Sequence, residues 1–521
     1  MATDTARDDV TRLQRQAAAI TIVATALRMV LAAKLPLVAD EAYYWEWSRH
    51  LAFGYFDHPP AIAWLIAFGT TIFGDTTLGV RFFPVLCGAI AAFALAELTE
   101  RLAGVRASRF AALLLAVTPF TIGFVLATPD APLLAAVAMT LMLVVGALDP
   151  AATARQSLVA WIGAGAAIGV AMASKFTAVF VPMALLLACA IHPALRVQLK
   201  RPGAYVAVLV ASLVMLPVLQ WNAQHEWIAF RFQLGHGLNA VANGSWWQRE
   251  LELIGGQLGL VTPILFVLLV RAIWREYNPN GDPRRFALAQ VALFCLGFFI
   301  YSATRRRVEA NWPAIGWLPA LVLLAVASQE LRSVWERRAL CLAGALTAVV
   351  LAHVAFPFLP IASRKDPAAR LRGWEALAEA TTAAQTQPVD VASTDSAAVR
   401  PASRKFVAAA RYQEAALIAW HDPDHPAVSA INLLGRRNQY DLWPRFQDRA
   451  VRGATMLLVV PDTSRNPALV DTLRQHFGRV TPGALTAVTY RGDTLTLRRI
   501  WTFSDWRGTW PTDPNDPIKN R

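Results

Sequence analysis

Long apolar runs separated by short polar segments dominate the first 360 residues of the chain. Each run is about as long as a helix that crosses the hydrocarbon core of a membrane, which needs roughly 20 residues. The runs therefore predict a bundle of about eleven membrane-spanning helices. The predicted spans are 17–36, 78–98, 110–127, 131–148, 158–173, 176–191, 204–221, 253–270, 286–303, 312–327 and 339–357.

The pattern changes after about residue 358, where the chain becomes polar and short strand-like and helix-like segments alternate. This alternation is typical of a small α/β domain. We expect strands at 389–392, 427–432, 455–460, 484–490 and 494–500, and helices at 368–384, 403–419 and 467–476. The sequence thus predicts an all-α transmembrane domain over 1–360, followed by an α/β domain over 361–521.

Composition supports the membrane assignment, because 55% of the 521 residues are hydrophobic and only 16% are charged. The net charge of +13 does not indicate nucleic-acid binding, since most Lys and Arg residues of the first 340 positions flank the predicted spans. All four cysteines (Cys87, Cys189, Cys295 and Cys341) lie inside apolar runs, without the spacing of a metal site. We interpret them as packing residues.

Positive charge also predicts the orientation of the spans. If the N-terminus is cytoplasmic, the inner segments hold 17 Lys and Arg and the longer outer segments hold nine. This bias follows the positive-inside rule. We therefore expect a cytoplasmic N-terminus, a first apolar run that is retained as an anchor, and an extracytoplasmic C-terminal domain.

The predicted first outer loop, residues 37–77, concentrates acidic and aromatic side chains beside a membrane span. Asp40 and Glu41 precede a short helix at about 41–51, and the apolar segment 59–73 is too short to span and is expected to lie in the interface. Acidic groups at such a position are candidates for function. The alternative is that both carboxylates only cap a helix N-terminus.

Two groups of cations fall on the outer side, against the charge bias: Lys175 and the run Arg305-Arg306-Arg307. They could be long side chains that reach the interface from a helix end, or they could neutralise a phosphate. Asp130 likewise could cap the helix that follows it or hold a substrate or the first loop. Tyr43 and Tyr44 could stack on a sugar or pack against the interface.

Five motifs in the predicted membrane domain resemble those of family 39 glycosyltransferases of the GT-C class. This family includes protein O-mannosyltransferases and the bacterial transferases that attach aminoarabinose or galacturonic acid to lipid A and lipopolysaccharide core. The motifs are Asp40-Glu41-Ala42-Tyr43-Tyr44-Trp45, Gly54-Tyr55-Phe56-Asp57-His58-Pro59-Pro60, Thr128-Pro129-Asp130-Ala131-Pro132, Ser174-Lys175-Phe176-Thr177 and Glu309-Ala310-Asn311-Trp312-Pro313. A tail segment, residues 436–443, is similar to one found in a bacterial subgroup.

The resemblance implies a GT-C fold and an inverting transfer of a sugar from a polyprenyl-phosphate donor to an acceptor hydroxyl or amine. Asp40 would be the catalytic base, with Glu41 beside it. His58, Lys175 and Arg305–Arg307 would bind the donor phosphate, if the outer loops converge. The residues expected to contact substrate are Tyr43, Tyr44, Asp57, Asp130, Asn311, Asn438 and Tyr440.

His58 stands where the aminoarabinose transferases have a phosphate-contacting lysine, so its charge would depend on pH. Asp57 stands where those enzymes have a glutamate that has been associated with a divalent metal. We nevertheless expect no metal and no other cofactor, since enzymes of this class often work without one.

The expected partners are a lipid-linked sugar donor, a lipid, glycan or protein acceptor, and membrane lipids. The expected location is the bacterial inner membrane, with a periplasmic C-terminal domain whose segment 438–443 either closes over the acceptor or packs the domain onto the bundle. The sequence specifies neither the sugar nor the acceptor. A transporter or flippase of lipid-linked sugars is the alternative function, although transporter sites usually lie near the middle of the membrane. A structural factor of the envelope is a weaker one.

Overall fold

A computed structural model describes residues 2–238, 244–328, 333–387, 405–433, 436–462 and 467–511 of the chain. The chain divides into two compact units. We call the first, Met1–Leu35 with Trp47–Phe356, the helical unit, and the second, Pro36–Glu46 with Pro357–Arg521, the sheet unit. The predicted strand at 389–392 lies outside the described residues.

The helices up to residue 356 follow the apolar runs of the sequence, and residues 39–46 of α2 belong to the sheet unit. They are α1 (Ala2–Lys34), α2 (Ala39–Ser48), α3 (Ala61–Phe73), α4 (Thr77–Ala103), α5 (Val105–Val117), α6 (Asp130–Ala147), α7 (Ala154–Ser174), α8 (Phe180–Ile191), α9 (Pro202–Gln224), α10 (Ile228–Leu238), α11 (Trp246–Val261), α12 (Pro263–Glu276), α13 (Pro283–Arg305), α14 (Ala314–Ser328) and α15 (Val334–Ala355). Short 3₁₀ helices occupy Pro119–Val125, Phe176–Val179 and Arg196–Lys200.

Within the described residues, seven helices are long and apolar enough to cross a membrane, and nine spans result if each of two bent helix pairs counts as one. All eleven predicted segments fall on helices, but 176–191 and 312–327 correspond to apolar helices shorter than 18 residues. The mostly helical polytopic fold is therefore confirmed. The helical unit has fewer full-length spans than the sequence predicted.

Two predicted spans, 110–127 and 253–270, each correspond to a bent pair of helices. The first bends by 70° between Val117 and Pro119, and the second bends by 98° between Val261 and Pro263. Proline cannot donate a backbone hydrogen bond and clashes with the preceding turn, so it ends one helix and starts the next. At the second bend, Thr262 adopts a positive φ of 64°.

Burial separates central from peripheral helices in the helical unit. Helix α14 is buried along nearly its whole length, from Ala314 to Val326. By contrast, α1 and α9 carry large exposed apolar side chains such as Val23, which is 67% exposed, and Val208, which is 63% exposed. Contiguous exposed apolar surface on long helices is typical of a face that contacts lipid.

The sheet unit contains one five-stranded sheet with the order β2-β1-β3-β5-β4. Its strands are β1 (Phe406–Ala409), β2 (Ser429–Ala430), β3 (Met456–Pro461), β4 (Phe477–Tyr490) and β5 (Asp493–Trp506). β1 pairs in parallel with β2 and β3, whereas β5 is antiparallel to both β3 and β4. Its helices are α16 (Glu375–Thr386), α17 (Tyr412–His421), α18 (Phe446–Arg449) and α19 (Pro467–Arg474), with 3₁₀ turns at Pro367–Leu371 and Gln439–Asp441.

The predicted α/β character of the tail is confirmed, but two predicted helices are wrong in part. The helix expected at 403–419 contains the strand Phe406–Ala409, because a short buried apolar run fits a strand or a helix equally well. The helix expected at 368–384 is interrupted at Gly373, whose φ of 87° favours glycine and breaks a helix. The predicted strands at 484–490 and 494–500 are parts of the longer β4 and β5.

Candidate active site

Asp40 and Glu41 occupy the first turn of helix α2, where carboxylates are favoured by the helix dipole. Their environments differ. The Glu41 side chain is fully buried, and its Oε2 accepts a hydrogen bond of 3.0 Å from the backbone N–H of Val38. The Asp40 side chain is exposed to solvent. Glu41 therefore has the contacts of a helix cap, and Asp40 is the acid of this pair that a substrate can reach.

The Asp40 side chain is exposed, but many protein atoms lie around it and exclude water from its neighbourhood. This desolvation is the largest influence on its pKa and raises it above the ordinary value. The positive charge of Arg436 lowers the pKa, the negative charge of Glu41 raises it, and Arg370 lowers it. The net shift is upward, and a carboxylate with a raised pKa is a stronger base while it remains ionised.

Tyr43 connects the segment that carries Asp40 to the tail of the sheet unit. Its hydroxyl accepts a hydrogen bond of 2.7 Å from the backbone N–H of Gln439. Its ring lies 4.5 Å from that of Tyr412 and stacks at 5.9 Å on that of Tyr440. Tyr44 is also buried, at 9% exposure. Tyr43 therefore packs against the tail of the sheet unit, an environment that neither of the two alternatives from the sequence described.

The tail segment that contacts Tyr43 is held by its own hydrogen bonds. Asn438 caps the 3₁₀ turn, because its side-chain Oδ1 accepts a hydrogen bond of 3.0 Å from the Tyr440 N–H. Asp441 closes the turn by accepting a bond of 2.7 Å from the Asn438 N–H. Asn438 and Tyr440 are 2% and 5% exposed. Within the sheet unit, this segment supports helix α2 through Gln439 and Tyr440.

In the helical unit, the turn before α3 is held in shape by Tyr55. The Tyr55 hydroxyl donates to the backbone carbonyls of Trp47 and His50, at 3.0 and 3.1 Å, and accepts from the Ala52 N–H. The Tyr55 N–H donates to the carbonyl of His58, so His58 sits at the end of a tight turn. His58 is half-buried.

Asp57 is 5% exposed, and its backbone carbonyl accepts a hydrogen bond from the Gln233 side chain. Divalent metals are held by several oxygen or nitrogen ligands. Across the described parts of the chain, no group of three or more His, Cys, Asp or Glu side chains is arranged to hold a metal ion. Asp57 is thus not part of such a group among the described residues.

Three predicted residues from distant parts of the helical unit converge at Asp130. The Lys175 Nζ lies 2.7 Å from Asp130 Oδ1, and the Asn311 amide donates to Asp130 Oδ2 at 2.6 Å. Lys175 also lies 6.0 Å from the centre of the Trp312 ring. The Lys175 and Asp130 side chains are only 11% and 16% exposed. Three of the predicted motifs thus meet at one partly buried ion pair, in which Asp130 balances the charge of Lys175.

The Arg305–Arg307 run begins at the last residue of α13, and Arg249 forms hydrogen bonds to the last turn of that helix. The buried Arg249 guanidinium donates to the backbone carbonyls of Ala303 and Thr304, at 3.0 and 2.6 Å. Arg307 is 73% exposed and lies 3.8 Å from both Glu252 and Glu309, so these ion pairs are weak. Arg306 is half-buried.

Four arginines have contacts or electrostatic roles that the sequence did not predict. Arg249 was counted only as a loop charge, and Arg370 and Arg436 act on Asp40 from the tail. Arg81 is fully buried in α4 and donates to the carbonyls of Ala32 and Leu35, at 3.2 and 2.5 Å, where α1 ends. An arginine inside an apolar run is a detectable signal, because such a charge must find partners within the protein.

Comparisons with known proteins agree with the predicted class. Residues 57–221 match the family described as dolichyl-phosphate-mannose-protein mannosyltransferase. The chain is 28% identical over 288 residues to the lipid A galacturonosyltransferase RgtD of Rhizobium johnstonii, covering 54% of this chain and 59% of that protein. It is 32% identical over 215 residues to undecaprenyl phosphate-alpha-4-amino-4-deoxy-L-arabinose arabinosyl transferase 2 of Pseudomonas fluorescens, covering 39% of this chain and 36% of that protein.

The fold comparison covers more of the chain than the sequence matches. ArnT from Cupriavidus metallidurans, bound to undecaprenyl phosphate, superimposes with a TM-score of 0.61 at 15% identity, covering 93% of this chain and 97% of ArnT. The architecture is therefore that of a GT-C glycosyltransferase. The chain shares this fold, with the apolar helices of a multi-pass membrane protein and a C-terminal sheet domain, and it spans 59% and 36% of the lengths of the two relatives named above.

Proposed function

We propose that the protein is an inverting glycosyltransferase that moves a sugar from a polyprenyl-phosphate donor to an acceptor on an envelope glycolipid of the lipid A type. The observation that carries this proposal is Asp40: an exposed carboxylate at a helix N-terminus, with a raised pKa and two arginines acting on it. The names of the two related transferases support the lipid-linked donor and the lipid A acceptor.

The reaction needs one base and no covalent intermediate. The Asp40 carboxylate takes the proton of the acceptor hydroxyl as the acceptor oxygen attacks the anomeric carbon. The bond from that carbon to the phosphate oxygen breaks, and polyprenyl phosphate leaves with the bonding electron pair. Because attack occurs opposite the leaving group, the configuration at the anomeric carbon is inverted.

The leaving phosphate gains negative charge, so nearby cations would lower the barrier. In our proposal these are Lys175, His58 and the Arg305–Arg307 run of the helical unit. Lys175 already pairs with Asp130 at 2.7 Å, so binding of the donor phosphate by Lys175 would have to share this charge with Asp130. Arg307 is 73% exposed and its ion pairs are 3.8 Å long, so in our proposal its charge is available to the donor phosphate.

The proposed location is the bacterial inner membrane, with a cytoplasmic N-terminus and a periplasmic sheet unit. The bias of Lys and Arg toward the assigned inner segments supports this orientation. Alkaline phosphatase fused after the last residue would be active in this orientation, since that enzyme needs the oxidising periplasm. An inactive but stable fusion would contradict it.

The proposal is tested by replacing Asp40 with Asn and measuring sugar transfer from undecaprenyl-phosphate-linked galacturonic acid or aminoarabinose to lipid A in membranes. We expect kcat to fall by about 10²- to 10⁴-fold, the usual contribution of a positioned base. Asp75→Asn is a matched control, because Asp75 is an exposed aspartate of the same predicted outer loop.

Wild-type rates in the Asp40→Asn variant would refute the assignment of the base. A wild-type protein that moves lipid-linked sugars across vesicles but forms no glycosidic bond would support the transporter alternative. Mass spectrometry of envelope lipids from cells with and without the protein would identify the sugar and the acceptor.

A further inference from the structure

A cleft of about 440 Å³ lies in the sheet unit at the carboxyl ends of its three parallel strands. Residues at the ends of these strands line the cleft: Ala410 after β1, Ile431 after β2 and Pro461 at the end of β3. This volume is in the range of small-molecule sites, roughly 300 to 1,000 Å³. Nothing in the proposed transfer chemistry requires a cavity at this place.

The cleft also lies where the strand connections diverge. After β1 the chain passes through α17 to β2 on one side, and after β3 it passes through α19 to β4 and β5 on the other side. In open α/β sheets, ligands bind in the crevice outside the carboxyl ends of the strands at such a topological switch point. The topology thus marks this edge of the sheet as a ligand site, independently of the side chains.

The lining contains cationic, polar and apolar residues. Two guanidinium groups, from the exposed Arg411 and Arg436, line the cleft, and no carboxylate occurs among its described lining residues. The polar side chains beside them are a phenol and three amides, from Tyr412, Gln413, Asn432 and Asn438. Guanidinium groups bind phosphate or carboxylate through paired hydrogen bonds, and amides and phenols bind hydroxyl groups.

Two of these groups are held in place by the surrounding chain. The Asn432 side-chain amide donates to the Arg436 carbonyl at 2.6 Å and to Asp441 Oδ2 at 2.9 Å. The Asn438 side chain donates to the same Arg436 carbonyl at 3.3 Å. Two side-chain hydrogen bonds therefore hold the Arg436 carbonyl, and such preorganisation lowers the entropic cost of binding.

The cleft also adjoins the segment that carries the proposed base. The ring of Tyr412 lies 4.5 Å from the ring of Tyr43, which is on the same helix as Asp40. The charge of Arg436 acts directly on Asp40. A ligand in this cleft would therefore lie next to the elements that hold the proposed base.

We propose that this cleft binds an anionic saccharide, a sugar that bears a phosphate or carboxylate group, as part of the acceptor. The two arginines would bind its anionic group, and the Gln413 amide and the Tyr412 hydroxyl would bind its hydroxyls, while Asn432 and Asn438 hold the Arg436 backbone. The role as an acceptor site rests on the proposed function, whereas the binding itself does not.

Binding is measured on the full chain in detergent by calorimetry, with glucose 1-phosphate and glucuronic acid as anionic probes, and with glucose and inorganic phosphate as partial probes. We expect both anionic sugars to bind at least about tenfold more tightly than glucose, because hydrogen bonds to a charged group are stronger than neutral ones. Arg411→Gln should weaken both anionic sugars by about the same factor. Arg499→Gln, on β5 and outside the lining, is the matched control and should bind like the wild type.

Equal binding by the wild type and Arg411→Gln, or no binding by the wild type, would overturn the proposed site. Inorganic phosphate that binds as tightly as glucose 1-phosphate would overturn the saccharide part, because the hydroxyls would then contribute nothing. Circular dichroism and melting temperature of the variants exclude loss of folding as the cause.

A transfer assay separates this proposal from the proposed function. If the cleft holds the acceptor, Arg411→Gln raises the KM for lipid A and leaves the donor KM unchanged, while Asp40→Asn loses kcat and still binds glucose 1-phosphate. If the wild type binds the probes but transfers no sugar, the proposed function is refuted, whereas the binding site in the cleft is supported. If the wild type transfers sugar and Arg411→Gln leaves the KM for lipid A unchanged, the cleft is not an acceptor site. The proposed function is unaffected by that result.

Discussion

Replacing Lys175 with Met tests whether this lysine binds the donor phosphate or only balances Asp130. The change keeps the length and the apolar stem of the side chain and removes its charge. The Lys175 Nζ lies 2.7 Å from Asp130 Oδ1, and the two side chains are 11% and 16% exposed. Asn311 would remain bonded to the other Asp130 oxygen at 2.6 Å.

Loss of one partner from a buried ion pair costs about 3–5 kcal/mol, because the other charge stays buried and uncompensated. The residual exposure of this pair and the Asn311 bond reduce the expected cost to about 2–3 kcal/mol. Replacing Asp130 with Asn as well removes the stranded charge. The double variant should therefore be more stable than Lys175→Met, even though it carries more changes.

The two roles of Lys175 predict different kinetics for the double variant. A lysine that binds the donor phosphate contributes a charged hydrogen bond of about 1.5–3 kcal/mol, so both variants should show a donor KM raised by about 10- to 150-fold. A lysine that only balances Asp130 should let the double variant regain the donor KM of the wild type. Melting temperatures in detergent rank stability, and initial rates at varied donor concentration give KM.

We expect the double variant to regain melting temperature and not donor affinity. Recovery of both would refute phosphate binding by Lys175 and leave it a structural partner of Asp130. A double variant that melts below Lys175→Met would instead refute the claim that an uncompensated carboxylate is the main cost.

Two further predictions concern the sheet unit. Arg436→Gln should move the acidic limb of the kcat–pH profile to higher pH: the limb marks protonation of Asp40, and Arg436 lowers a pKa that burial has raised. An unmoved limb would argue against Asp40 as the titrating base. Arg498→Met should destabilise the protein by about 3 kcal/mol, since it strands Glu414, which lies 2.7 Å away at 2% exposure. Thermal melting should show recovery when Glu414→Leu is added, and no recovery would contradict a charge-based cost.

The sequence predicted the helical part well because each apolar run is long and unambiguous. It missed the two bends because Pro119 and Pro263 lie within otherwise continuous apolar runs, where a proline is compatible with a kink or a straight span. In the tail it missed β1, since Phe406–Ala409 is too short for its period to distinguish a strand from a helix. The pattern of apolar and polar residues predicted long helices better than short strands.

The sequence identified candidate site residues from their type and position, but it did not predict which of them contact one another. Asp130, Lys175 and Asn311 were singled out one at a time, and their convergence depends on helix packing across more than a hundred residues of chain. Arg370 and Arg436 lie more than three hundred residues from Asp40 and carry no motif of their own for this role. Long-range electrostatic partners of this kind require coordinates.

Residues 36–46, which include Asp40, belong to the same compact unit as the tail. The groups that act on the pKa of Asp40, namely Glu41, Arg370 and Arg436, all belong to the sheet unit. A chain that ended at Phe356 would keep Asp40 but lose both arginines and the Gln439 N–H that Tyr43 accepts. Its base would then have a different pKa and a less constrained helix. Because general-base catalysis depends on both, the tail contributes to proton transfer in the mechanism proposed for Asp40.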